Sequence, residues 1–199
     1  MIDKSLPYIP LTLYKCDIDA FPRYSLPEGY RFEFYREGDE ARWAEIEYSL
    51  GQFSSPERGV KCFGEQFIYE GAPDVGERML FVVDEMGKYV ATATLWRGEF
   101  LGETRERIHW VAVSDECAGR GIAKALICRL LELYRELHGE GPIYLVTATW
   151  YYPAISLYKK FGFEFYRGGA SLDGSLSDAD FTLRNNEGIS IVEQRLGRA

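Results

Sequence analysis

Two glycines flanking an arginine, Gly119-Arg120-Gly121, stand directly ahead of a run with helical apolar spacing, and this is where the sequence first offers chemistry. Glycine leaves the backbone N–H groups uncovered. At a helix N-terminus those donors lack intrahelical partners and the helix dipole is positive, so Gly119-Arg120-Gly121-Ile122-Ala123 can cradle a phosphate or pyrophosphate. Arg120 and Lys124 add positive charge beside it. Taken alone, a Gly-x-Gly also suits a plain turn before a helix. Two rival phosphate motifs are missing: a dinucleotide fingerprint needs a third glycine where Lys124 stands, and a P-loop needs Gly-Lys-[Ser/Thr] at the helix start. His109 lies on the run before this loop; its imidazole titrates near neutral pH, and such a residue either moves protons or satisfies a structural hydrogen bond. His138 falls at the end of the helical run, where the dipole favours it. Cys117 shares the loop, but no His-Asn arrangement accompanies it for nucleophilic work. Two isolated histidines form no ligand set, so no metal is expected.

The elements that must hold these residues can be read from periodicity. Arg107 to Val113 alternates as a strand, and from Gly121 to Leu137 the positions Leu126, Leu130, Leu133 and Leu137 follow helical spacing. The apolar strand Ile143 to Thr149 comes next, so strand, long helix and strand make a βαβ crossover between parallel neighbours. Before it, Tyr30 to Tyr35, Met79 to Asp84 and Tyr89 to Trp96 read as strands, the last two joined by a hairpin at 85–88. Those last two and 107–113 form an antiparallel meander. Asp39 is placed to cap a helix to Leu50 with Trp43, Ile46, Glu47 and Leu50 in register, and residues 56–70 suit a second short helix interrupted or kinked at Gly59 and Gly64. Pro153 suits the first turn of a helix through Phe161, with a strand from Phe163 to Arg167 behind it. Two short runs, 181–183 and 189–192, read as terminal strands or a loose tail. Prolines at 7, 10, 22 and 27 make residues 1–28 an extended, proline-rich N-terminal arm packed on the domain. Residues 29–199 then form one α/β domain with a mixed sheet.

Composition narrows the class. The 199 residues are 46% apolar and 27% charged, which suits a folded globular chain and not a disordered one. A formal charge of −8 repels phosphate backbones and anionic membranes and attracts cations, so neither nucleic acid nor membrane is expected as a partner. The four cysteines form no C-x-x-C, and the N-terminus shows no export signal, so a cytoplasmic protein with reduced thiols is expected.

Two segments together are specific. Val111-Ala112-Val113 with Gly119-Arg120-Gly121-Ile122-Ala123-Lys124-Ala125-Leu126, and Ala154-Ile155-Ser156-Leu157-Tyr158-Lys159-Lys160-Phe161-Gly162-Phe163, resemble the signature segments of the GNAT superfamily of N-acetyltransferases. The resemblance covers about residues 107–166. It implies the GNAT-type acyl-CoA N-acyltransferase fold with splayed central strands, and transfer of an acetyl group from acetyl-CoA to an amine. Ala118, Gly119, Arg120, Gly121, Ile122, Ala123 and Lys124 would then hold the pyrophosphate of coenzyme A, while Val111, Ala112 and Val113 would pair with its pantetheine amides. Ala118 departs from the usual Gln or Arg, and Tyr151 stands where Asn is common. Tyr158 falls on the tyrosine that protonates the leaving thiolate in many members, although it also suits an aromatic core. His109 is the sharpest candidate for the base that deprotonates the amine; Glu103 and Glu106 are others acting through water. Arg107 occupies the position of a glutamate base in histone-type acetyltransferases. An oxyanion would be met by a backbone N–H near Val111. The acceptor is expected to be a small cationic amine, an amino acid derivative or a protein amine, and a homodimer is compatible with the resemblance. Two alternatives stay open: a longer acyl-CoA as donor, and a CoA-binding regulatory module or pseudo-enzyme.

Overall fold

Period-two runs become strands and period-3.6 runs become helices in the computed structural model, which describes residues 2–68, 75–139, 141–169 and 176–197. In chain order the elements are β1 (Pro10–Lys15), β2 (Tyr30–Phe34), α1 (Glu40–Ser49), α2 (Pro56–Phe67), β3 (Met79–Asp84), β4 (Tyr89–Phe100), β5 (Glu103–Val113), α3 (Ile122–Glu136), β6 (Ile143–Ala148), α4 (Tyr152–Lys160), β7 (Glu164–Phe165) and α5 (Asp178–Leu196). The strands pair in the order β2-β3-β4-β5-β6-β1-β7. β2, β3 and β4 are antiparallel neighbours, and β5 runs parallel to β6 with Arg107 opposite Tyr144, the crossover that the sequence pattern requires. The chain divides into two units, residues 23–96 with 108–137, and residues 1–22, 97–107 and 138–199.

In the first of these units, β3 is buried on both faces, which explains its unbroken apolar run Met-Leu-Phe-Val-Val. Met79, Phe81 and Val83 join Trp43, Ile46, Phe63, Phe67 and Trp96 in an aromatic-rich core with α1 and α2. Helix α3 also packs against β3. Asp39 precedes α1, but its carboxylate accepts from Arg36 N at 2.9 Å and pairs with Arg42, so it fastens the preceding turn and leaves the helix without a side-chain cap. Ser55 does cap α2, accepting from Arg58 N at 3.4 Å, with Pro56 in the first turn. Of the interruption or kink expected at Gly59 and Gly64, the interruption is absent: α2 runs as one helix through both. Gly59 instead lets two helices approach: a Cβ there would lie 2.7 Å from Ala44 Cβ.

In the other unit, residues 10–15 of the proline-rich stretch form strand β1, inserted between β6 and β7 with Leu13 opposite both Leu145 and Phe165. The strands expected at 181–183 and 189–192 are one helix, α5, in which Asn185, Gly188, Ile189 and Val192 are buried. Their spacing of three, four and seven is helical, and Ser177 accepts from Asp180 N as an N-cap; these signals outweigh two short β-branched runs. Gly188 rests on β1's flank, where a Cβ would lie 2.8 Å from Ile9 Cγ2, and Asn185 Nδ2 donates to Tyr166 O at 2.7 Å. Among the described residues no helix is long and apolar enough to cross a membrane.

Candidate functional site

Strand β5 ends at Val113, and Ser114 N donates to Val90 O at 2.8 Å to fasten that end. A single 3-10 turn, Asp115–Cys117, leads into the glycine loop. Gly119 and Gly121 both adopt left-handed backbone, with φ of 77° and 90°, and a Cβ on either would meet nothing within 4 Å. The glycines are therefore required by conformation, and the space above them is open. Gly121 is the N-cap of α3; no side chain caps the helix and no acidic residue lies in its first turn. A 15-residue helix thus presents its positive end without an anion of its own. Arg120 is exposed and donates from Nη1 to Tyr30 Oη at 3.0 Å, and the Lys124 ammonium lies 5.2 Å from the Tyr24 ring centroid. Cys117 is buried, its Sγ 3.7 Å from Tyr30 Oη, so this thiol packs beneath the loop. The residues present fit an anionic pyrophosphate.

The strand feeding this loop is not regular. Trp110 has φ of 49° in the middle of β5, a conformation rare for a bulky residue and a mark of a bulge. Its effect is visible in the side chains. Successive residues of a strand point to opposite faces, yet His109 Nε2 and Trp110 Nε1 lie 2.9 and 2.8 Å from the same atom, Gln66 Oε1 on α2. The indole N–H can only donate, which fixes the oxygen of Gln66 at this position. His109 Nε2 therefore carries the proton it directs at Gln66, and Nδ1 bears the lone pair of the neutral ring. Trp110 then packs edge-on to Trp43, 5.1 Å between ring centroids, and stacks on Phe53 at 5.7 Å. Val111 and Val113 are half-buried and Ala112 is buried in the core.

Tyr158 belongs to the other unit, on α4. It is buried, its ring meets Phe163 edge-on at 5.9 Å, and its carbonyl accepts from Phe161 N and Phe163 N at the glycine turn that ends the helix. Burial pushes the phenol well above its ordinary range, so it stays protonated wherever the chain is folded near neutral pH. Arg107, Glu103 and Glu106 lie on β5 in that same unit, where Glu106 pairs with Arg97 at 3.2 Å and Glu103 with Arg105. The loop residues 118–124, Val111 to Val113 and His109 thus share one unit, and Tyr158 does not.

Three participants escape the sequence reading: Gln66, the bulge at Trp110 and the carboxyl of Glu47. Glu47 is 2% exposed on α1, and burial pushes its pKa up to about 8. A signal for it exists, because a carboxylate stands in the apolar register one turn after Trp43. Among the described residues no group of three or more His, Cys, Asp or Glu is placed to hold a metal ion.

Comparison with known proteins gives the family and the fold. Residues 41–163 match the model of the acetyltransferase (GNAT) family, more than half of the chain, and the chain belongs to that family. No curated protein matches it in sequence. Among solved structures it resembles a GCN5-related N-acetyltransferase from Sphaerobacter thermophilus, with 23% identity and a TM-score of 0.61 over 80% of this chain and 49% of that one. It also resembles a tandem GNAT protein from the clavulanic acid biosynthesis pathway, with 17% identity and a TM-score of 0.57 over 83% and 52%. A predicted acetyltransferase with acetyl-CoA from Clostridium acetobutylicum gives 16% identity and a TM-score of 0.55 over 72% and 95%. The chain spans about half the length of the first two of these structures. The mixed sheet with its helices is the GNAT fold.

Proposed function

We propose that the chain transfers an acetyl group from acetyl-CoA directly to a primary amine borne by a small cationic molecule, an amino acid derivative or a protein. The observation that carries this reading is the open N-terminus of α3, where left-handed Gly119 and Gly121 expose backbone donors and no carboxylate competes for them. Residues Ala118 to Lys124 hold the pyrophosphate, with Arg120 and Lys124 supplying charge. Val111 to Val113 offer their backbone to the pantetheine amides, and a backbone N–H near Val111, beside the irregular Trp110, meets the oxyanion. Acetyl-CoA supplies an activated thioester. His109, held against Gln66, takes the ammonium proton. Tyr158, kept protonated by burial, delivers a proton to the departing thiolate.

The test is calorimetric titration with acetyl-CoA and dephospho-CoA, beside a Gly121→Glu variant. Micromolar binding that the variant loses supports the reading and justifies a screen of amines by thiol release. Absence of binding at millimolar acetyl-CoA defeats it. A second titration with longer acyl thioesters sets the acyl selectivity.

A further inference from the structure

The core beneath α1 and α2 is apolar in composition, yet it holds four polar side-chain atoms buried without a hydrogen-bond partner: Trp43 Nε1, Glu47 Oε1, Thr92 Oγ1 and Thr94 Oγ1. Folded proteins pair the great majority of such atoms, and each orphan gives up its hydration with nothing in return. They belong to one core. Trp43 and Glu47 are one turn apart on the same face of α1, and both are buried there. Thr92 and Thr94 stand opposite Phe81 and Met79 in the β3–β4 ladder, and those two residues pack in the cluster that contains Trp43. Antiparallel partners share a face, so both hydroxyls are presented to the core that α1 covers.

Chemistry selects the missing partner. Three of the four atoms can accept a hydrogen bond: a carboxyl oxygen and two hydroxyl oxygens. A primary ammonium brings three donors and no acceptor, and it carries the charge that a carboxylate in an apolar core lacks. The aromatic side chains of Trp43, Phe53 and Trp110, packed on one another at 5.1 to 5.7 Å, suit a cation as well. No basic side chain contributes to the shift of Glu47, whose cause is burial alone. The titratable neighbour on α2 is Cys62, which feels Glu47, Glu65 and Arg58, and whose thiol is pushed up chiefly by its own burial. Trp110 links this core to the chemistry, since it adjoins His109 and shares Gln66 with it.

We propose that Glu47 is the acceptor-recognition carboxylate of this acetyltransferase, pairing with the primary ammonium of the acceptor beneath α1 and α2. The proposal rests on the acetyltransferase reading above and names the residue that selects its substrate class. Before the acceptor arrives the carboxyl is mostly protonated at neutral pH. As the ion pair forms, that proton passes to solvent; in this binding step the ammonium keeps its three protons and no bond of the acceptor is broken, and the proton that His109 takes leaves afterwards, when the amine attacks. One proton is therefore released for each ammonium bound.

The experiment uses n-butylammonium as probe and 1-butanol as its neutral counterpart, titrated calorimetrically near pH 7 in phosphate and in MOPS, neither of which is a primary amine, so that the proton released can be counted. Wild type is expected to prefer the ammonium and to release close to one proton. Glu47→Gln should bind it at least about tenfold more weakly with no proton released. Glu47→Asp should retain the release at reduced affinity. Acetyl-CoA binding should be the same in all three proteins. Equal affinity and equal proton release in Glu47→Gln, or a wild type that treats ammonium and alcohol alike, overturns the proposal. A wild type that takes the ammonium through Glu47 but never binds acetyl-CoA overturns the acetyltransferase reading, and with it the role of that ammonium as acceptor, while the ammonium site at Glu47 stands.

Discussion

The loop ahead of α3 and the core beneath α1 and α2 belong to the same unit of the chain and are built on opposite plans. The loop is open: two left-handed glycines present backbone donors into space where a side chain would meet nothing. The core is closed: a carboxyl, an indole N–H and two hydroxyls are held out of water among packed rings. An open site of backbone donors is defined by residues that are absent, and its ligand can be any group of the right charge. A closed site of orphaned side-chain atoms is costly in every state without its ligand, each atom by about 1–3 kcal/mol. That cost is tolerable only where it is recovered in function.

The largest expected effect tests the open plan. Gly121→Glu places an anion where the helix dipole and free N–H groups would receive one, and it also forces a side chain into φ of 90°. Acetyl-CoA affinity should fall by about a hundredfold or more, while Gly121→Ala, which adds only the backbone strain of about 1–2 kcal/mol, should fall by about tenfold. Calorimetry separates the two, and equal losses would mean that conformation rather than charge governs the loop. Tyr158→Phe should next lower kcat by about a hundredfold and leave acetyl-CoA binding alone. Because burial raises the phenol, wild-type turnover should show no alkaline loss traceable to Tyr158 near pH 10, where an ordinary tyrosine ionises.

The closed plan is tested by stability against pH. In the unfolded chain the Glu47 carboxyl ionises near the ordinary carboxylate value of 4.5, whereas in the folded chain it keeps its proton up to about 8. Between these values the native state binds more protons than the unfolded one, so stability falls as pH rises through that window and levels off above it. Glu47→Gln removes the slope. The variant should match wild type near pH 5 and exceed it by a few kcal/mol at pH 9, read from urea midpoints at each pH. Parallel curves for the two proteins would show that the carboxyl is hydrated in solution.

What could be read in the sequence follows the same division. The strand, helix and strand around the loop were legible because the apolar period changes from two to 3.6 at one place, and because glycine has no substitute at positive φ. Tyr158 and the loop were found as parts of recognisable segments. Glu47 was visible only as an outlier in an apolar register, since burial is a property of tertiary neighbours that no spacing reports. The bulge at Trp110 left no mark at all, because nothing in Arg-Ile-His-Trp-Val-Ala-Val distinguishes a regular strand from one that turns a residue over. Helix α5 was misjudged because Phe-Thr-Leu and Ile-Ser-Ile-Val look extended in windows shorter than a helical turn and a half.

The smallest effect distinguishes two glycines that the sequence treats alike. Gly59 and Gly64 both lie inside α2, where alanine has the better helix propensity by about 1 kcal/mol. At Gly64 the new methyl meets nothing within 4 Å, so Gly64→Ala should raise stability by about 0.5–1 kcal/mol. At Gly59 it meets Ala44 Cβ at 2.7 Å and the Ala44 backbone at 3.1 Å, neither of which can rotate away. The helices must part, Trp43 and Phe63 must repack, and Gly59→Ala should lose about 1–3 kcal/mol despite the better propensity. Because Glu47 sits on the face of α1 that this crossing holds down, Gly59→Ala should also admit water to the carboxyl and flatten the pH dependence of stability towards that of Glu47→Gln. A variant that loses stability but keeps the full wild-type slope would show that Glu47 is shielded by the sheet and not by the packing of α1 on α2.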